Sequence, residues 1–186
     1  MNNQEEEKYY IEEVERWLSN VVIGLNLCPF AKAPYRKKNI RYHVLLSDNV
    51  DDLLIHFEAQ LGKLMQTEAS ILETTLIITP NMLSSFDDYL ENVRLAEWSL
   101  KQWGLSSSFQ IATFHPDYCF EGQAKDDLEN LTNRAPFPII HLLRQESLNK
   151  MLSEYPSPEQ IPENNMQRMR EMSEEERKRL FYYLLS

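Results

Sequence analysis

Thr74-Thr75-Leu76-Ile77-Ile78-Thr79 (TTLIIT, residues 74–79) is the segment that decides how this chain folds. It is a short, apolar run rich in β-branched side chains, which is typical of a strand covered on both faces of a sheet. Pro80 ends the run, because proline has no N–H group to donate to a neighbouring strand. The segment therefore predicts a buried strand, and the flanking sequence indicates which kind of sheet surrounds it.

Further helices and strands are predicted on both sides of this segment. Three segments carry apolar side chains at spacings of three and four, which predicts amphipathic helices. They are residues 8–26, 50–69 and 85–104. Strands are expected at residues 40–46, where apolar and polar side chains alternate, and at 109–114 and 137–143. We predict an α/β fold: one domain with a four-stranded mixed sheet, βαβαβ followed by an added strand, packed with helices.

The last predicted strand, residues 137–143, has no helix before it. It therefore either returns antiparallel or joins the sheet at an edge. If it runs antiparallel beside the third strand, His115 and Arg134 lie on the same rim of the sheet. This rim is the carboxyl end of the parallel strands, where open α/β sheets bind ligands.

Length and composition indicate one globular domain, since 42% of the 186 residues are hydrophobic. We expect the core within about residues 8–153, followed over 154–186 by a proline-linked helical segment. This segment packs on the core or on a second copy, so a homo-oligomer through the C-terminal helices is one expectation. The net charge of −10 argues against nucleic acid or a membrane as the main partner, because both attract a positive surface.

The N-terminus and the cysteines indicate the compartment. Residues 1–10 are acidic where a signal peptide is basic and then apolar, and no apolar run approaches the ~18 residues of a membrane span. Cys28 and Cys119 are too few for a disulfide framework. We therefore expect a cytoplasmic protein with reduced thiols.

The long connection after the third strand, residues 115–138, is the first candidate for a functional site. Loops longer than about 12–15 residues usually have a function or are disordered, and the aromatic content of this one argues against disorder. His115 ends a strand, with Asp117 two residues later to orient it. Arg134 follows Asn133 on a proline-stiffened backbone, from which it is able to bind a carboxylate or phosphate. A salt bridge from Arg134 that ties the loop down explains the same pattern.

Three residues outside this loop are further candidates. His141 lies within an apolar strand, where a hydrogen-bonded neutral ring is the ordinary role and a proton relay the functional alternative. Arg41 belongs to a basic run, residues 36–41, that either faces water or binds an anion. Cys28 precedes Pro29 at the expected end of the first helix, where the helix dipole raises a thiol pKa. We expect a buried Cys28, with a ligand-binding or reactive thiol as the alternative.

Cofactor and metal sites have weaker support. His115, Asp117, His141 and Cys28 include metal-ligand types, but no pair has the i, i+4 or HxH spacing that makes a metal prediction specific. We therefore assign no metal ligand. The chain also lacks a glycine-rich phosphate loop and a serine nucleophile elbow, so its cofactor stays unknown.

Several motifs resemble those of a bacterial family classed as a domain of unknown function. The resemblance extends over about residues 14–165 and rests on the following segments. They are Gly24-Leu25-Asn26-Leu27-Cys28-Pro29-Phe30-Ala31, Phe114-His115-Pro116-Asp117-Tyr118 with Phe120 and Gly122, Thr132-Asn133-Arg134 with Pro136 and Pro138, His141-Leu142-Leu143-Arg144, Ser147, and Ile161-Pro162-Glu163. The resemblance implies membership of the family and carries over no activity or ligand.

Three hypotheses of function follow from these residues. The first is an enzyme for a small anionic metabolite, with His115 as acid or base, Arg134 and Arg41 as anion clamps and His141 as a proton relay. The second is a non-catalytic module that binds a ligand or protein through the 115–138 loop. The third is a metal-binding protein through His115 and His141. The pairing of histidine with arginine at a strand end favours the first, because an interaction surface does not need it.

Overall fold

The structure is a computed structural model that describes residues 2–185. The α-helices of this range are α1 (Asn3–Trp17), α2 (Lys32–Lys37), α3 (Asp51–Gln66), α4 (Phe86–Gln102), α5 (Gln145–Glu154), α6 (Ile161–Arg170) and α7 (Glu174–Leu180). The strands are β1 (Ile40–Val44), β2 (Thr74–Ile78), β3 (Phe109–Phe114) and β4 (Ile139–Arg144). A π-helical segment, Leu18–Ile23, follows α1 directly, and short 3-10 turns occupy Leu128–Thr132, Pro158–Gln160 and Tyr182–Leu184. The predicted α/β class with a four-stranded mixed sheet is confirmed.

The sheet has the strand order β1-β2-β4-β3. β1 and β2 are parallel, and β4 is antiparallel to both β2 and β3. The added strand therefore returns antiparallel, as one of the two predicted alternatives, and it lies inside the sheet. Its Ile139, Ile140 and Leu142 are completely buried, which is the environment that so apolar a strand requires. As a result β2 and β3 are not neighbours, although they have the same direction.

Helices cover both faces of the sheet. α3 and α4 pack on one face around Phe57, Ile77 and Tyr89. α1, the π-helical segment and the C-terminal helices pack on the other face around Trp17, Leu76 and other buried residues. The consequence is a three-layer domain in which successive side chains of each strand enter different cores.

The first helix differs from the prediction of one α-helix over residues 8–26. It begins at Asn3, because the side chain of Asn2 accepts a hydrogen bond from the backbone N–H of Glu5 and the carboxylate of Glu5 accepts one from the backbone N–H of Asn2. The α-helical part ends at Trp17, and the chain continues as a π-helix to Ile23. Gly24 follows, where an added Cβ would lie 2.2 Å from the carbonyl oxygen of Asn20. A side chain at this position would therefore disturb the π-helical segment.

The C-terminal helices pack on the domain itself. Met169 of α6 and Phe181, just after α7, are buried in the same core as Trp17. The side chain of Asn165 donates a hydrogen bond of 2.7 Å to the carbonyl oxygen of Leu27. The apolar residues that suggested a contact with a second copy thus contact their own chain. Within residues 2–185, no helix is long and apolar enough to cross a membrane.

Candidate functional site

A cavity of about 130 Å³ lies between the sheet and the layer that contains the π-helical segment. Its walls are mainly apolar and include the aromatic rings of Trp17, Phe30 and Phe114. Its polar lining comes from different segments: the loop after the π-helical segment, the start of β2, the end of β4 and the beginning of α5. The corresponding residues are Cys28, Glu73, Thr74, His141, Arg144 and Ser147.

Hydrogen bonds determine the tautomer of His141 in this cavity. Its Nε2 lies 2.6 Å from Oγ1 of Thr74, and the same hydroxyl lies 2.5 Å from the carbonyl oxygen of Leu142. A hydroxyl has one proton and a carbonyl oxygen can only accept, so Thr74 donates to Leu142 and accepts from Nε2–H of His141. The Nδ1 atom of His141 is then an unprotonated acceptor, and no hydrogen-bond partner for it occurs among the described residues.

The charge of His141 follows from its burial. Burial lowers the pKa of His141 from 6.5 to about 4, because an imidazolium in this apolar environment would lose its hydration. The ring is therefore neutral at pH 7. Its Nδ1 atom is able to accept a hydrogen bond from an O–H or N–H group of a ligand while the ring stays neutral.

Cys28 lines the same cavity with a neutral thiol. Burial raises its pKa, and the backbone N–H groups of Phe30 and Ala31 act in the opposite direction with a smaller effect. The sequence predicted a raised pKa from a helix dipole, whereas the structure attributes it to desolvation. The π-helical segment ends at Ile23, before the cysteine. A neutral thiol is a weak donor and acceptor, and it adds to the apolar wall.

Arg144, at the end of β4, binds backbone carbonyl oxygens through its Nε and Nη2 atoms. Its Nη2 atom lies 2.6 Å from the carbonyl oxygens of Leu64 and Thr67, at the end of α3, and its Nε atom lies 3.3 Å from that of Leu72. A cation at this position satisfies carbonyl groups that a helix C-terminus leaves without partners. Arg144 is therefore a cap for α3.

His115 has a structural environment on the other face of the sheet. The ring is completely buried against Phe86 and Tyr89 of α4. Its Nδ1 accepts a hydrogen bond of 3.0 Å from the N–H of Asp117, so its Nε2 is protonated and donates to the carbonyl oxygen of Leu83 at 2.8 Å. Burial lowers the pKa of His115. Both ring nitrogens are used within the fold, which leaves neither for a substrate and gives no support to His115 as an acid or base.

Arg134 ties down the long loop, though through carbonyl oxygens instead of the expected carboxylates. Its Nε donates to the carbonyl oxygen of Tyr118 and its Nη2 to that of Lys125, at 3.2 and 2.6 Å. Asn133 is similarly engaged, with its Nδ2 donating to the carbonyl oxygen of Thr113 at 3.1 Å. Arg134 lines a groove beside α7 that does not include His115. The geometry thus does not bring the two predicted partners to one ligand.

The family model described as "Protein of unknown function (DUF1415)" matches residues 9–179. The chain belongs to the DUF1415 family. No curated protein and no solved structure matches it. The family's description names no ligand or reaction, so the arrangement of residues in this DUF1415 protein carries the functional argument.

Two predicted residues lie elsewhere in this DUF1415 protein. Arg41, on edge strand β1, donates from its Nε to Oε1 of Gln60 at 2.7 Å, beside a pair formed by His43 and His56. Burial and the neighbouring His56, Arg41 and Lys63 lower the pKa of His43 to about 4. The Asp117 side chain is exposed. Neither Arg41 nor Asp117 lines the cavity.

A shared metal site for His115 and His141 has no support in the geometry. His115 packs against α4, whereas His141 lines the cavity on the opposite face of the sheet. In the part of the chain that the structure describes, no group of three or more histidine, cysteine, aspartate or glutamate side chains could hold a metal ion.

Of the predicted site residues, the structure brings Cys28 and His141 to one cavity. Thr74, Phe114 and Ser147 line it as well and were not predicted as site residues. The sequence does contain one relevant signal, the alternation of side chains along a strand. It places Thr74 and Leu76 on the same face of β2, and it places His141 on the opposite face of β4 from Ile140 and Leu142. Their proximity depends on the pairing of β2 with β4, which the sequence does not reveal.

Proposed function

We propose that this protein binds a small, uncharged and mostly apolar molecule in the cavity next to His141. The observation that carries the proposal is Nδ1 of His141, an acceptor without a partner among the described residues, in a cavity whose walls are otherwise mainly apolar. Ligand sites typically combine apolar walls with a few polar groups that orient the ligand. A ligand with one O–H or N–H group satisfies this acceptor.

The size of the cavity limits the ligand to about one ring. A volume of about 130 Å³ is close to the ~150 Å³ that suffices for benzene in an apolar protein cavity. A closed empty cavity of this size would cost on the order of 3 kcal/mol, at about 24 cal/mol per Å³, which is an upper bound for this partly open one. A ligand that fills it recovers part of this free energy, so binding stabilises the fold.

The charges around the cavity favour a neutral ligand over the anionic metabolite suggested by the basic residues of the sequence. His141 is neutral at pH 7 because its pKa is about 4. The Nε and Nη2 atoms of Arg144 donate to three backbone carbonyl oxygens. The Glu73 carboxylate also lines the cavity and would repel an anion, and burying an anion has a high desolvation cost. A carboxylate or phosphate is therefore a poor ligand for this cavity.

A second candidate function is thiol-dependent catalysis, because Cys28 and His141 line the same cavity. The two pKa shifts oppose it. Burial raises the pKa of the Cys28 thiol and lowers that of His141 to about 4, so proton transfer from thiol to imidazole is strongly unfavourable. We therefore assign binding as the function, with Cys28 as part of the wall.

Phenol, benzene and benzoate are suitable probes, since they share a ring and differ in donor and charge. The experiment uses the Trp98→Phe/Trp103→Phe protein, in which Trp17 of the cavity is the remaining tryptophan. Trp98 is 58% exposed, and Trp103 is 42% exposed with its ring stacked on Phe57, where phenylalanine retains an aromatic ring, so both replacements should preserve the fold. Trp17 fluorescence should report saturable binding of phenol, weaker binding of benzene and no binding of benzoate.

The matched variant His141→Phe removes the acceptor and keeps an aromatic ring. Thr74 still donates to Leu142 in this variant, so no hydroxyl proton loses its partner. Phenol should bind about five- to tenfold more weakly, the effect of one hydrogen bond of about 1–1.4 kcal/mol, while benzene binding is unchanged. Tighter binding of benzoate than phenol, or no saturable response to any neutral probe, would contradict the proposal.

A further inference from the structure

The outer surface of α3 and α4 exposes large apolar side chains. Ile55 of α3 is 65% exposed, and Leu95 and Trp98 of α4 are 44% and 58% exposed. Ile55 lies two residues from each of the buried Leu53 and Phe57, about 200° around the helix, so it points away from the core. An outward tryptophan beside other apolar residues is unusual for a surface that stays in water.

Small residues lie next to these exposed side chains. Ala59 lies four residues after Ile55, and Gly62 lies three residues after Ala59. All three residues are therefore on the same outer stripe of α3. A Cβ added at Gly62 would have no atom within 4 Å, so the glycine is not required by its own chain. Glycine in a helix costs about 1 kcal/mol relative to alanine. Gly62 also lines a groove with Met65 and Trp103, and that groove is able to receive a partner's side chain.

The ends of the two helices carry opposite charges, and Glu58, Glu91, Arg94 and Glu97 are exposed between them. α3 and α4 run in the same direction, because each returns the chain between strands of the same direction. The exposed acidic residues Asp51 and Asp87 are at the N-terminal ends. The exposed basic residues Lys63 and Lys101 are at the C-terminal ends. A copy rotated by 180° places basic ends opposite acidic ends.

We propose that the outer face of α3 and α4 is the interface of a symmetric homodimer, with the helix pair of one copy antiparallel to that of the other. The same patch then faces itself, as a two-fold axis requires. Trp98 of each copy packs over Ala59 and Gly62 of the other, and the acidic helix ends face the basic ones. A second copy fits better than a nucleic acid or an anionic membrane, because the face carries both signs of charge and the chain has a net charge of −10.

The size of this face sets the expected strength of the contact. Helices of 16 and 17 residues span about 25 Å, and two of them side by side cover roughly 500 Å² of the surface. Stable interfaces bury about 800 Å² per partner, so the dimer belongs to the weaker class. We expect it to dissociate on dilution through the micromolar range.

The test is sedimentation velocity of the full chain over a wide concentration range. The wild-type protein should change from monomer to dimer as its concentration rises. Trp98→Glu should weaken the dimer at least tenfold, because it places two carboxylates in the apolar centre of the interface. The control Ile71→Glu changes a 69% exposed side chain outside both helices and should have no effect. Circular dichroism verifies that both variants are folded.

A charge exchange tests the orientation. Asp51→Lys/Asp87→Lys makes both ends of the face basic, and Lys63→Glu/Lys101→Glu makes both ends acidic. Each variant alone should dimerise more weakly than wild type, and an equimolar mixture should form a heterodimer. A wild-type chain that stays monomeric, a dimer unaffected by Trp98→Glu, or a mixture that does not associate overturns the proposal. Binding of the wild-type monomer to phosphatidylcholine vesicles, abolished by Trp98→Glu, also overturns it.

Discussion

Thr74 holds His141 in a single tautomer. Oγ1 of Thr74 lies 2.6 Å from Nε2 of His141 and gives its own proton to the carbonyl oxygen of Leu142 at 2.5 Å. The imidazole therefore presents its unprotonated Nδ1 as a neutral acceptor in an apolar cavity. The hydrogen-bond donor of the proposed ligand follows from this relationship.

Removal of the Thr74 hydroxyl should destabilise the protein, whereas removal of the Thr75 hydroxyl should not. Thr74→Val leaves Nε2–H of His141 without an acceptor, and we expect a loss of about 1–3 kcal/mol in the free energy of unfolding. Oγ1 of Thr75 is buried and has no hydrogen-bond partner among the described residues. Thr75→Val should therefore be neutral or stabilising by up to about 1 kcal/mol. Urea denaturation of both variants measures the difference, and equal losses would contradict the assignment.

His115 should act on stability and not on ligand binding. His115→Ala removes partners from the N–H of Asp117 and the carbonyl oxygen of Leu83, a residue that already has a positive φ of 59°. We expect a loss of about 2–4 kcal/mol, since each buried polar group without a partner costs about 1–3 kcal/mol. His115→Gln retains a donor toward Leu83 and should lose less. A variant of normal stability that no longer binds phenol would place His115 in the site after all.

Stability should fall in mild acid. Burial lowers the pKa of His141 and of His43 from 6.5 to about 4. Between pH 4 and pH 6.5 these two histidines therefore bind protons in the unfolded chain but not in the folded chain. The stabilisation is complete above pH 6.5 and is lost as the pH falls through about 4. The slope is up to about 1.4 kcal/mol per pH unit for each histidine, and less for His43 because it is partly exposed. Urea denaturation at a series of pH values measures it, and His141→Phe should have a visibly smaller slope.

Filling the cavity should stabilise the protein and abolish binding. Ala112 of β3 lines the cavity and pairs with His141 across the sheet. Ala112→Val adds two methyl groups there, and valine suits a strand. We expect a gain of up to about 1.6 kcal/mol in the free energy of unfolding, at about 0.8 kcal/mol per buried carbon, and at least fivefold weaker binding of phenol. A loss of stability would indicate that the cavity is smaller than described.

The strands and amphipathic helices could be predicted because their signals are local. Thr74–Ile78 is an apolar run, and it forms a strand with no exposed residue. The position of β4 could not be predicted, since its pairing of Ile139 with Ile78 joins residues far apart in sequence and antiparallel or edge insertion fits the same pattern. The π-helical segment was missed because its apolar spacing also suits an α-helix.

The candidate site was predicted only in part. His141 and Cys28 were recognised as chemically capable residues, but their cavity is built from segments that meet only in the folded chain. His115 and Arg134 stood out because they flank a long loop. Their partners are backbone groups of Leu83, Asp117, Tyr118 and Lys125, and a sequence does not reveal which backbone groups need a partner. Residues that stabilise a loop and residues that bind a ligand have the same pattern in this case.

The most direct test of the proposed binding site is long-range ¹H–¹⁵N NMR spectroscopy of the His141 side chain at pH 7, with and without phenol. The free protein should show a neutral ring with Nε2 protonated and Nδ1 unprotonated. Phenol should shift the Nδ1 resonance in the direction of a hydrogen-bonded acceptor and leave the Nε2 resonance almost unchanged. A ring protonated on Nδ1, or an Nδ1 resonance that does not respond to saturating phenol, would contradict the account.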